Sequence, residues 1–310
     1  MTKFHADPLK TPEERIAVSA LPKEKRQELI STLLYRYPIF KNGVSFIESF
    51  HRPTGSAAHD AGRIGGLLGE SRSGKSMICR YYASLHKDGG YEHKSQPIIY
   101  FEATENMDLR LAAIRLCSLA GACSVPGLSG HELTEHVILC LASAKTELLI
   151  IDDAHYLLCN RRRDQFAELR AFIDEMARAK LFNILLVGEE CLHCAIYETA
   201  MRHGQFYHDT VKLFGDSGTE FEMFRLLLDR IDDRLPFASR AGIEALAKDL
   251  HRYSAGKIGL VMDLVQRAGL MAIHQDADRI TIEHLRMAAN RMRAPGDHYP
   301  YFERGGCVPR

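Results

Sequence analysis

Gly69-Glu70-Ser71-Arg72-Ser73-Gly74-Lys75-Ser76 fits the pattern G-x-x-x-x-G-K-[ST]. The chemistry of that pattern is phosphate binding. Its glycines let consecutive backbone N–H groups turn inward, and a helix start adds free N–H groups and partial positive charge. Lys75 is placed to reach the β- and γ-phosphates of a nucleoside triphosphate, and Ser76 to ligate Mg²⁺. The expected contacts are Gly69, Glu70, Ser71, Arg72, Ser73, Gly74, Lys75, Ser76 and the next residue, Met77. Downstream, Leu148-Leu149-Ile150-Ile151-Asp152-Asp153 places two acids behind four apolar residues. Asp152 is expected to hold Mg²⁺ through water opposite Ser76, and Asp153 to orient an attacking water.

These groups need strands and helices to hold them. Arg63 to Leu68 reads as a short buried strand and Met77 to His86 as a helix, the context the glycine loop requires. Further strands are expected at 97–101, 147–153, 181–187 and 210–214, with helices at 108–120, 164–179 and 190–201 between them. Strands alternating with helices imply a parallel sheet covered on both faces. After Gly218 the strand signal stops, and four helices are expected at 221–233, 239–251, 257–274 and 281–292. Thr281 has the character of an N-cap for the last. Before the loop, helices are expected at 23–36 and 39–50, separated at Tyr37-Pro38. The expected division is a loose N-terminal arm at 1–22, a helical lead-in at 23–62, a P-loop core at 63–216, a helical lid at 217–293 and a tail at 294–310.

Composition narrows the class. The 310 residues are 46% hydrophobic and 26% charged, ordinary for a globular protein with ample core material. Forty basic and forty acidic residues balance to zero, so attraction to nucleic acid has to be local. The N-terminus lacks an apolar signal region, and no run approaches a membrane span. Both absences point to the cytoplasm and to no membrane partner. Eight cysteines are scattered, with Cys79, Cys117 and Cys140 in apolar runs, which suits reduced, buried thiols. Cys191-Leu192-His193-Cys194 is a C-x-x-C without a second pair at zinc-ligand spacing.

A P-loop core followed by helices is the AAA+ layout, and Val44 to Leu285 resembles the transposition ATPases TniB and TnsC, relatives of the Mu transposition ATPase. The resemblance rests on Leu67 to Ser76, on Leu149-Ile150-Ile151-Asp152-Asp153-Ala154-His155, on Leu185-Leu186-Val187-Gly188, on Gly256-Lys257-Ile258-Gly259 and on Tyr37-Pro38. It implies a three-layer α/β/α AAA+ core with a five-stranded parallel sheet, followed by an all-helical lid. It implies ATP and Mg²⁺ as cofactors and Tyr37, Pro38 and Ile258 beside the nucleotide. It also implies assembly as a ring or filament on DNA, and a transposase and a target-selection protein as partners. ATP hydrolysis would be the switch.

Four positions depart from that family. Asp153 stands where a glutamate is usual, Glu189 follows the fourth strand where a polar neutral residue is usual, and Gln205 precedes Phe206 where an arginine is expected, with Arg202 one turn back. Leu260 replaces the lid arginine. Together they imply slow or partner-dependent hydrolysis, or a scaffold that only binds ATP. DNA contacts are sought at Arg161-Arg162-Arg163 and at Arg286, Arg291 and Arg293. The loop after the second strand, Glu102 to Asn106, is acidic, with Arg110 the nearest cation. A switch in replication loading or defence is the alternative pathway.

Overall fold

The computed structural model describes residues 4–53, 62–86, 95–122, 127–159, 163–202 and 207–303. The expected break at Asp88-Gly89-Gly90, together with Arg161, Arg162, Gln205, Phe206 and the last residues of the tail, lies outside them. In chain order the helices are α1 (Pro12–Ser19), α2 (Lys23–Ser31), α3 (Pro38–His51), α4 (Lys75–Leu85), α5 (Leu109–Leu119), α6 (Gly130–Ser143), α7 (His155–Leu158), α8 (Arg163–Arg178) and α9 (Leu192–Arg202). They continue with α10 (Gly218–Asp232), α11 (Ala247–Ser254), α12 (Ile258–His274) and α13 (Ile282–Met292). The strands are β1 (Ile64–Leu68), β2 (Ile98–Glu102), β3 (Leu148–Asp152), β4 (Asn183–Gly188) and β5 (Tyr207–Thr210). The chain forms two compact units, Pro38–Lys212 and Met1–Tyr37 with Leu213–Arg310.

In the first unit the five strands form one sheet in the order β2-β3-β4-β1-β5, and every pairing is parallel. β1, β3 and β4 are buried along their whole length, as continuous apolar runs in a parallel sheet require. Gly65 and Gly66 on β1 leave room for neighbours. A Cβ on Gly65 would lie 2.7 Å from the Phe50 ring, and one on Gly66 would lie 2.4 Å from Ile196. One core collects Phe101, Leu116, Val137, Ile151, Phe172, Phe182, Leu186 and their neighbours.

The fifth strand falls at 207–210 rather than at the apolar run 210–214. β5 is an edge strand with a single partner and an exposed surface, so Tyr-His-Asp-Thr is tolerated there. Val211 instead continues the chain as a buried residue, its N–H donating to Leu68 O at 2.8 Å.

The second unit is helical, as expected after Gly218, but it also includes the N-terminus. The expected loose arm is an ordered segment. α1 starts with a capping box between Thr11 and Glu14, the Leu9 N–H donates to Asp233 O at 2.8 Å, and the Leu34 N–H donates to His5 O at 2.9 Å. Arg15 donates to Asp232 O at 3.2 Å, and Arg26 donates to Pro236 O at 3.0 Å and stacks over Phe237. Ile30 fills the space left by Gly269 on α12, where a Cβ would lie 2.7 Å from its Cδ1. α2 stops at Ser31 rather than Arg36. The expected helix at 239–251 is a 3₁₀ turn at Ile243–Leu246 followed by α11. Thr281 does cap α13, reciprocally with His284. The beginning of the tail is also ordered, with Tyr301 and Phe302 buried and Tyr301 against Tyr253.

Candidate functional site

The loop between β1 and α4 has the backbone its sequence demands. Gly69 has φ +145°, and a Cβ there would stand 2.8 Å from Val211 O. Gly74 has φ +103° at the N-cap of α4. Both conformations favour glycine. Lys75 opens the helix and is buried. Its Nζ donates to Gly69 O at 2.9 Å and Glu70 O at 2.7 Å, and lies 3.4 Å from Ser73 Oγ. The tip of the lysine is thus held within the ring of the loop. Burial lowers the affinity of its amine for a proton, while Asp152, Asp153 and Glu189 act in the opposite direction. The structure therefore brings the carboxyl ends of β3 and β4 to the lysine that opens α4. Ser76 is half-buried on the first turn of α4 beside Met77.

Asp152 ends β3 and is 1% exposed. Its Oδ2 accepts the Tyr100 hydroxyl at 2.5 Å, and its Oδ1 accepts the Asp153 N–H at 3.0 Å. Each carboxylate oxygen keeps a further lone pair for a cation or its water. Tyr100 is in turn held by Arg80, whose Nε donates to the tyrosine oxygen at 3.1 Å and whose other arm pairs with Glu102 at 2.8 Å. Burial and then Asp152 push the Tyr100 hydroxyl well above its ordinary pKa, so it stays protonated as a donor. The sequence reading missed this chain of Glu102, Arg80, Tyr100 and Asp152. Its local signal is the odd position of β2: Tyr100 is the one polar side chain in Ile98-Ile99-Tyr100-Phe101.

Asp153 leaves the strand in the left-handed region, at φ +52°. Burial, then Asp152, raise its pKa, and His155 opposes them. His155 begins α7 and packs against the end of β4. A Cβ on Gly188 would lie 2.9 Å from its Nδ1, and that buried nitrogen has no hydrogen-bond partner among the described residues. Glu189 is exposed.

The donor set fits Mg²⁺ and a triphosphate: a hydroxyl and a buried carboxylate are hard oxygen ligands, and the buried lysine and glycine loop suit phosphate oxygens. Tyr37 is buried with its ring 5.6 Å from that of Phe214, and burial raises its pKa. Pro38 starts α3. Ile258 is buried at the start of α12, after Gly256, whose φ is +75° and whose Cβ would stand 2.1 Å from Phe214 O. Leu260 is half-buried on the first turn of α12.

Arg163 begins α8. Arg286 pairs with Glu283, and Arg293 donates to Asn290 and to Tyr299 O. Arg110 and Arg291 are exposed. Among the described residues no helix is long and apolar enough to cross a membrane.

A family model described as an AAA domain matches residues 58–195. No curated protein matches the chain in sequence. Among solved structures, Cdc6p from Pyrobaculum aerophilum is 15% identical with a TM-score of 0.59, over 83% of this chain and 68% of that one. The Aeropyrum pernix ORC1 protein in complex with DNA is 15% identical with a TM-score of 0.57, over 83% and 65%. Drosophila ORC bound to DNA is 18% identical with a TM-score of 0.51, over 93% and 67%. The chain thus spans about two thirds of the length of those proteins. With the P-loop of Gly69 to Ser76 on a five-stranded all-parallel sheet, a helical C-terminal region and an AAA domain at 58–195, the chain has the P-loop AAA+ fold.

Proposed function

We propose that this protein is an ATP-gated AAA+ switch that assembles on DNA, with slow Mg²⁺-dependent hydrolysis resetting it. The observation that carries the reading is the convergence of buried Lys75 with Asp152 and Asp153 at the mouth of a glycine loop. ATP supplies a γ-phosphoryl group open to attack by water, and Mg²⁺ neutralises its charge. The chain's residues do the rest. The loop N–H groups and Lys75 bind the phosphates and stabilise negative charge. Ser76 and Asp152 hold the cation, and Tyr100 fixes the carboxylate of Asp152. Asp153 accepts the proton of a water that it orients. Its side chain is one methylene shorter than glutamate, and positioning at hydrogen-bond distance is demanding, so hydrolysis is slow.

The DNA part of the reading draws on two supports. The motifs resemble those of TniB and TnsC, which makes a transposase and a target-selection protein the partners and a ring or filament of copies the active form. The fold likeness to an ORC1 protein and an ORC solved with DNA favours a second reading, a switch in replication loading. Both readings share ATP-dependent assembly on duplex DNA.

Single-turnover phosphate release, with and without duplex DNA, tests the switch. Slow release that DNA accelerates supports it. ATP bound but never cleaved, with DNA or without, would reduce the protein to an ATP-dependent scaffold.

A further inference from the structure

The cysteine motif that stands out in the sequence, Cys191-Leu192-His193-Cys194, presents two exposed thiols. The structure gathers metal-binding groups elsewhere, from residues that the sequence scatters. Cys117 lies in the last turn of α5. His136 and Cys140 lie one helical turn apart on α6, which packs against α5. One ligand atom from each of the three falls within 4.8 Å of the others. Cys140 Sγ is 3.7 Å from His136 Nε2, and the Cys117 thiol lies within 4.8 Å of both.

Those separations are close to the edges of a metal tetrahedron. Zinc–sulfur and zinc–nitrogen bonds of about 2.3 and 2.0–2.1 Å at tetrahedral angles put two sulfurs about 3.8 Å apart and a sulfur and a nitrogen about 3.6 Å apart. The Cys140–His136 distance already matches, and the remaining adjustment lies within a small turn of side chains. The i, i+4 spacing places the imidazole and one thiol on the same face of α6, towards the thiol of α5. Cys117 is fully buried, whereas His136 and Cys140 are half-buried, so a fourth coordination position faces outward and is open to water.

We propose that Cys117, His136 and Cys140 form a binding site for a soft or borderline divalent cation of the zinc class, separate from the hard-oxygen Mg²⁺ site at Ser76 and Asp152. Thiolate and imidazole donors select such ions over Mg²⁺, and a hydroxyl–carboxylate set does the reverse, so the two sites do not compete. Binding releases the two thiol protons to solvent. The bound ion cross-links α5 to α6 on the flank of the sheet that carries Asp152. The site stands independently of the nucleotide reading.

The test uses the full-length chain, reduced and stripped of metal, titrated with Co²⁺ as the spectroscopic probe and then with Zn²⁺. Expected are one Co²⁺ per chain, a sulfur-to-cobalt charge-transfer band with the intense visible absorption of a tetrahedral ion, and its bleaching by Zn²⁺. Cys140→Ser and His136→Ala each weaken Co²⁺ binding by more than about tenfold, and Cys191→Ser with Cys194→Ser leaves it unchanged. Zn²⁺ in excess raises the melting temperature of the wild type but not of Cys140→Ser. The wild-type titration needs no variant to fold. A wild type without the charge-transfer band overturns the site. So does a band that survives in Cys140→Ser and disappears in the Cys191–Cys194 double variant.

Discussion

The Tyr100 hydroxyl donates to Asp152 Oδ2 at 2.5 Å, so a tyrosine within β2 directly supports the acid at the end of β3. Arg80 reaches the same tyrosine oxygen from α4, the helix that starts at Lys75. The proposed cation-holding acid and the proposed phosphate-binding helix are therefore joined through one phenol. Tyr100→Phe keeps the ring and removes the hydrogen bond. It is expected to weaken Mg²⁺-dependent ATP binding by roughly tenfold or more, with little change in Mg²⁺-free nucleotide binding. Titration of a fluorescent ATP analogue at fixed and zero Mg²⁺ reads the difference.

Lys75 is a buried charge at the candidate phosphate site. Its amine is desolvated, and its donors are spent on loop carbonyls. Lys75→Met removes that charge and keeps the length of the side chain. ATP binding should be lost, while the melting temperature without nucleotide stays equal to wild type or rises. Thermal denaturation with and without ATP tests both halves. A large drop without nucleotide would show that the lysine is structural.

Asp153 sits at φ +52°, where aspartate and asparagine are tolerated and longer side chains are disfavoured. Asp153→Asn should therefore fold normally, bind ATP as before and lower phosphate release at least about tenfold. Asp153→Glu restores the usual length of the water-orienting acid but adds strain. Its phosphate release, normalised to bound ATP, should exceed wild type while its melting temperature falls.

His51 lies outside the candidate site and should contribute to acid stability. It is fully buried, with Nδ1 2.9 Å from the Tyr82 oxygen and Nε2 3.0 Å from Glu147. Burial, partly offset by Glu147, lowers its pKa to about 4. The unfolded chain takes up this proton near the ordinary value of about 6.5, while the fold resists it. Stability is therefore independent of this group above about pH 6.5 and falls as the pH drops towards 4, by roughly 3 kcal/mol in all. In His51→Gln the slope of unfolding free energy between pH 6.5 and 4, from denaturant titrations, should lose about one proton's worth.

The sequence made the first unit of the fold nearly complete. Its strands are short, buried and apolar, and the glycine loop fixes which strand is β1. The candidate roles of Lys75, Ser76, Asp152 and Asp153 rest on motif and spacing. Three things escaped, each for a physical reason. Arg15 and Arg26 tie the N-terminus to Asp232 and Pro236, more than 200 residues away in sequence, and periodicity within one segment carries no trace of such pairing. β5 reads as polar because an edge strand needs no apolar core face, so the run Val211-Lys212-Leu213-Phe214, buried only at its two ends, drew the expectation past it. Tyr100 and Cys117 gain their partners only when β2 meets β3 and α5 meets α6.

The central claim, that ATP at the Lys75–Asp152 site gates assembly on DNA, is tested most directly by sedimentation velocity with duplex DNA, a non-hydrolysable ATP analogue and Mg²⁺. The wild type should form a fast-sedimenting complex only when nucleotide and DNA are both present, and Lys75→Met should form none. A complex that ignores nucleotide, or wild-type monomers under every condition, would contradict it.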